Sequence, residues 1–117
     1  KPLGLHLKHL DSATVETHYG EHSSKPFFGE LCGFMTGGPV VIAAFEGPHA
    51  ISVTRKLVGA TKGYEADPGT IRGDYGLSNQ SNLIHASDSP ESAERELKLF
   101  FPNADFVEFT SPDEKWW

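Results

Sequence analysis

Residues 40–45, Val-Val-Ile-Ala-Ala-Phe, form an unbroken apolar run, bounded by Gly37-Gly38-Pro39 before it and Gly47-Pro48 after it. An unbroken run, unlike an alternating one, marks a strand buried on both faces. Such a strand requires cover on either side, so the rest of the chain has to supply a small sheet and helices to pack on it. The 117 residues suffice for one modest core and are too few for two, so residues 1–117 read as a single domain.

The segments around this run supply those elements. Leu3-Gly4-Leu5-His6-Leu7-Lys8-His9-Leu10 alternates apolar and polar side chains, as a half-buried strand does. Asp11 is placed to cap a helix carrying Val15, Tyr19 and His22 on one side. Residues 26–35 read as a second helix with Phe27, Leu31, Phe34 and Met35 on one face, stopped by Gly37-Gly38-Pro39. Gly47-Pro48 turns into a short helix ending at Gly59. Residues 59–81 are rich in Gly, Thr, Asp and Asn and lack clear periodicity, and so long a loop in a small domain tends to be functional. Residues 82–86 read as a short strand. Ser89 caps and Pro90 opens a last helix, with Ala93, Leu97, Phe100 and Phe101 as its apolar face and Pro102 at its end. The order β-α-α-β-α-loop-β-α is an α+β pattern, helices covering a small sheet.

The net charge of −6 argues against bulk attraction to nucleic acid, so phosphate binding would need a local cluster of cations. A single cysteine, Cys32, excludes an internal disulfide framework, and its apolar surroundings point to an inert thiol. No apolar run approaches membrane-spanning length and no signal segment opens the chain, so a cytoplasmic location is expected.

The chemistry concentrates after residue 81. His85 ends an apolar run and is followed by Ser87, Asp88 and Ser89. Glu96 shares a helical face with Ala93 and Phe100 on the helix that this segment feeds, so it can fold back toward the imidazole. A carboxylate on one ring nitrogen fixes the tautomer and leaves the other for a reactant. Ser87 can assist. A lone histidine at a strand end is more often structural; the polar cluster shifts the balance toward function. Arg55, Thr61 and Arg72, with Lys56 and Lys62, would suit a polyphosphate, because guanidinium groups grip its oxygens bidentately. Any one of them, taken singly, is more often an ordinary solvated cation. Either Phe27 or Phe28 can present a ring face to a base, although two core rings are the commoner outcome. The absence of a Walker-type glycine loop excludes a P-loop fold. His18-Tyr19-Gly20-Glu21-His22 fits the H-x-x-E-H metalloprotease pattern, but three fixed letters in a chain with six histidines arise by chance.

These residues carry a family resemblance. Asn82-Leu83-Ile84-His85-Ala86-Ser87-Asp88-Ser89, followed by Glu91-Ser92-Ala93 and Glu96, closely resembles the active-site signature of nucleoside diphosphate kinases. So do Lys25-Pro26-Phe27-Phe28, residues 36–41, Glu46-Gly47 and Pro68-Gly69-Thr70-Ile71-Arg72-Gly73-Asp74, in the family's order. The resemblance covers essentially the whole chain. It implies a ferredoxin-like fold, a four-stranded antiparallel sheet covered by helices. It implies transfer of the γ-phosphate of a nucleoside triphosphate to a nucleoside diphosphate, ping-pong, through a phosphohistidine.

By the same resemblance His85 is the nucleophile, attacking through Nδ1, and Glu96 and Ser87 support it. Tyr19 lies beside the phosphohistidine. Arg55, Thr61 and Arg72 contact phosphate, Asn82 sits near the sugar hydroxyl, and Phe27 stacks on the base. Mg2+ arrives with the nucleotide. The partners implied are nucleoside di- and triphosphates and further copies of the chain, in a hexamer or tetramer, with no membrane and no specific nucleic acid. Family members begin with a strand carrying Ile-Lys-Pro-Asp and a helix, which have no counterpart here, so the chain is expected to lack the family's first strand and its phosphate-contacting lysine. That departure leaves a second expectation open, an impaired nucleotide-binding or oligomerisation module of the same fold.

Overall fold

The computed structural model describes residues 1–20, 24, 32–33, 35–78 and 83–117. Its elements are β1 (Pro2–His9), α1 (Ser12–His18), β2 (Pro39–Phe45), α2 (Ala50–Val58), a 3-10 turn at Gly63–Glu65, α3 (Ile71–Tyr75), α4 (Pro90–Phe100) and a second 3-10 turn at Glu114–Trp116. Cys32, Gly33, Met35 and Thr36 are also helical; most of the helix expected over residues 26–35, including Phe27, Leu31 and Phe34, lies outside the described residues. The chain divides into two compact units, one made of Lys1–Gly47 with Glu96–Trp117, the other of Pro48–Arg95.

In the first unit β1 and β2 pair antiparallel, with Gly4 opposite Ala44, His6 opposite Ile42 and Leu7 opposite Val41. Ala44 is buried, and the His6 ring lies 5.0 Å from that of Phe101, which in turn lies 5.3 Å from Phe106. A Cβ on Gly4 would come 2.8 Å from the Phe101 ring, so only glycine lets the ring approach the strand so closely. This register corrects two expectations. The alternation of β1 turns Leu5 and Leu7 outward, at 70% and 75% exposure. The run 40–45 is not buried on both faces, since Val41 and Phe45 are 66% and 60% exposed. Val40, Ile42 and Ala44 share the less exposed face, and Ile42 and Ala44 stand opposite the two β1 positions that Phe101 covers.

Asp11 caps α1 as expected, its carboxylate accepting the Thr14 N–H at 2.7 Å, and Val15 is fully buried beneath the helix. The helix stops at His18, with Tyr19 as its C-cap, so the side expected to run from Val15 to His22 is cut short; Gly20, a poor helix former, follows, and His22 lies outside the described residues. Lys1 fastens the end of the chain to the sheet. Its ammonium donates to the Phe109 carbonyl and to Glu114 Oε1, both at 2.6 Å, and Glu114 raises its pKa above the ordinary value.

In the second unit α2 ends at Gly59, whose φ of 89° is the left-handed region that favours glycine. Residues 59–78 are not the structureless loop expected. They hold the first 3-10 turn and α3, elements too short to show a periodicity. Thr70 caps α3, accepting the Gly73 N–H at 3.0 Å and donating to the Asp67 carbonyl at 2.7 Å. A Cβ on Gly73 would collide with that same Asp67 carbonyl. The strand expected over 82–86 is absent from its described part, residues 83–86. Leu83 has a φ of 74°, and the carbonyls of Ile84 and Ala86 accept from arginine side chains where a strand would offer them to a neighbouring strand. Ser89 caps α4 with its hydroxyl 3.0 Å from the Ser92 N–H, and Pro90 takes the first helical position.

Candidate active site around His85

His85 is exposed, between half-buried Ile84 and buried Ala86. Two arginines of the same unit reach the backbone of its neighbours. Arg55, in the last turn of α2, donates from Nη1 to the Ala86 carbonyl at 2.9 Å. Arg72, in α3, donates from Nη2 to the Ile84 carbonyl and from Nη1 to the Gly59 carbonyl at 3.2 Å. The carbonyls of both residues that flank His85 are therefore held by guanidinium groups. Arg72 is only 3% exposed. A buried cation requires polar partners, and carbonyl oxygens serve, each charge-assisted bond contributing about 1.5–3 kcal/mol.

Thr61 is exposed two residues beyond Gly59. Lys56 is exposed, and Lys62 lies 3.9 Å from Glu65. Ser87 is half-buried on the path from His85 to α4. Next to it, Asp88 is held below the ordinary carboxylate range by the Ser92 hydroxyl first, helped by its own N–H, the Arg55 charge and Ser89. Phe27 and Asn82 lie outside the described residues.

Tyr19 and Glu96 belong to the first unit. His18 stands between them: its ring centroid is 4.4 Å from that of Tyr19, and its Nδ1 is 3.8 Å from Glu96 Oε2. Phe100 packs edge-on against the same imidazole at 5.1 Å. The His18 and Glu96 side chains are 7% and 8% exposed. Sequence reasoning noticed His18 only through a motif set aside as chance; no local pattern announces its carboxylate neighbour 78 positions away. Cys32 is half-buried, and burial, with a smaller contribution from Glu16, pushes its thiol up, in keeping with an unreactive residue. No helix among the described residues is long and apolar enough to cross a membrane.

What the chain resembles agrees with this geometry. The profile of the family described as Nucleoside diphosphate kinase matches residues 1–106. A nucleoside diphosphate kinase of Frankia casuarinae is 56% identical over 100 residues, which are 86% of this chain and 73% of that protein. The crystal structure of a nucleoside diphosphate kinase family protein from Babesia bovis superposes with a TM-score of 0.94 at 41% identity, covering 99% of this chain and 78% of that one. A halophilic nucleoside diphosphate kinase from Halobacterium salinarum, solved in complex with CDP, gives a TM-score of 0.94 at 42% identity over the same shares. The chain belongs to the nucleoside diphosphate kinase family, phosphotransferases of ferredoxin-like α+β fold that move phosphate between nucleotides.

Proposed function

We propose that His85 is the phosphate carrier of this chain, taking the γ-phosphoryl group from a nucleoside triphosphate and giving it to a nucleoside diphosphate. In the first half-reaction the imidazole nitrogen forms a bond to the γ-phosphorus, and the bond from phosphorus to the bridging oxygen breaks, releasing the diphosphate. In the second, a terminal oxygen of another nucleoside diphosphate attacks that phosphorus and the P–N bond breaks. Phosphoryl transfer rests on positioning and charge neutralisation more than on covalent machinery. The observation that carries the reading is an exposed histidine whose two neighbouring carbonyls are both held by arginines.

Arg55, Thr61 and Arg72 are the phosphate-side residues in this reading. Ser87, Glu96 and Tyr19 support the histidine, and Asn82 and Phe27 take the sugar and the base. The side chains reaching the backbone beside His85 are guanidinium groups, which take phosphate oxygens and not metal, so a divalent cation, magnesium, fits as a companion of the nucleotide. Bound with the nucleotide, it would supply neutralisation of the phosphate charge. The enzyme works in the cytoplasm as a homo-oligomer. The test is the intact mass before and after ATP. The wild type gains one acid-labile phosphoryl group and His85→Ala gains none; equal labelling of the two proteins refutes the assignment.

A further inference from the structure

We infer that Arg72, with Arg55 opposite it, is a positioning residue for His85, acting through the peptide backbone on either side of the histidine; the inference rests on His85 being the phosphate carrier. The connections form a closed circuit within one unit. Arg55 and Gly59 stand one turn apart, the Gly59 N–H bonding to the Arg55 carbonyl at 3.0 Å. From that turn Arg55 reaches forward to the Ala86 carbonyl, while the Gly59 carbonyl receives Arg72. Arg72 then closes the loop on the Ile84 carbonyl. His85 is the residue between the two whose carbonyls are so held.

The arrangement answers a local need. Leu83, two residues before His85, has a φ of 74°, a left-handed conformation that a leucine adopts only when its surroundings impose it. The described part of the segment, residues 83–86, forms no strand ladder, and the arginine clasp restrains it. Resemblance alone would make Arg72 a phosphate ligand. Its burial and its two carbonyl partners give it a second task, one that operates before any nucleotide arrives. A guanidinium has five N–H donors in a rigid fork, enough for two carbonyls and a phosphate together, whereas a lysine ammonium has three donors on a flexible stem and cannot span both carbonyls in the same way.

Two measurements on the full chain test this. In wild-type protein, the Ile84 and Ala86 carbonyl carbon resonances are followed by NMR as ADP is added. The Ile84 signal is expected to keep its hydrogen-bonded position at saturation; movement to an unbonded value would mean that Arg72 leaves the backbone for the phosphates, and would overturn the inference. In Arg72→Lys, the imidazole nitrogens of His85 are expected to report a mixture of tautomers, against the single tautomer expected of the wild type. The rate of His85 phosphorylation at saturating ATP should fall about a hundredfold, the order of loss that a small misplacement produces, with little change in the half-saturating ATP concentration. Unchanged ring signals, with only the half-saturating concentration raised, would mark Arg72 as a phosphate ligand and nothing more. Should Arg72→Lys fail to fold, the wild-type titration decides alone. Failure of the wild type to label at His85 would sink the functional reading, while the carbonyl resonances still report on the clasp.

Discussion

His18 and Glu96 meet at 3.8 Å in a setting where each side chain is less than a tenth exposed. A buried carboxylate is tolerable only with polar partners, and removing one exposes the desolvation cost of the other. His18→Ala empties a place packed against Tyr19, Phe100 and Glu96, and should destabilise the fold by about 1–3 kcal/mol. Glu96→Gln, which keeps the volume and a hydrogen-bonding oxygen while removing the charge, should cost less. Urea unfolding of the two variants beside the wild type gives both values, and an unaltered midpoint in His18→Ala would contradict the pairing.

The Thr70 hydroxyl serves two backbone groups at the start of α3. Thr70→Ala should cost about 1 kcal/mol, as loss of an N-cap does, and Thr70→Ser should keep most of the stability. Thermal melting monitored by circular dichroism separates these outcomes.

Gly73 is required for a different reason. Its Cβ position is already occupied by the Asp67 carbonyl, and backbone cannot swing aside as a side chain can. Gly73→Ala is expected to destabilise by about 1–3 kcal/mol or more through overpacking. Gly69, with open space at its Cβ position, should lose stability on substitution only through its φ of 90°. Comparing the denaturation midpoints of the two alanine variants distinguishes crowding from backbone strain.

Acid should weaken the fold through Asp11. The Thr14 backbone N–H, first, holds its carboxyl below the ordinary carboxylate value. A carboxyl whose folded pKa is depressed contributes stability that is complete above its unfolded value, about 3.9, and that is lost as pH falls through the folded one. Asp11→Asn keeps a capping oxygen but does not titrate, so its melting temperature should fall less steeply than that of the wild type below about pH 4. Parallel acid slopes for the two proteins would rule this out.

Capping is where the sequence was most legible. Asp11, Gly59 and Ser89-Pro90 act on neighbours within one helical turn, so their chemistry can be read without knowing the fold. The short α3 left no periodicity, and Thr70 before it gave no signal strong enough to separate a cap from a loop hydroxyl. Which face of β1 turns inward was illegible for another reason. Alternation tells that Leu5 and Leu7 share a face, but the position of Phe101 decides that His6 and Gly4 go inside. The site shows the same division. His85 and the two arginines stood out by residue type, while the use of Arg72 on the carbonyls of Gly59 and Ile84 depends on three segments meeting, and the partnership of His18 with Glu96 on two.

The burial of Arg72 also sorts the cations of this acidic chain by their response to ionic strength. The Lys62–Glu65 pair, with side chains 48% and 58% exposed, sits in water, where mobile ions screen charge over about 8 Å at physiological concentration. Added salt erases an attraction of that kind. The Arg72 charge is buried against fixed carbonyl dipoles, where mobile ions screen it far less, so the geometry it imposes on either side of His85 should outlast salt that silences the surface.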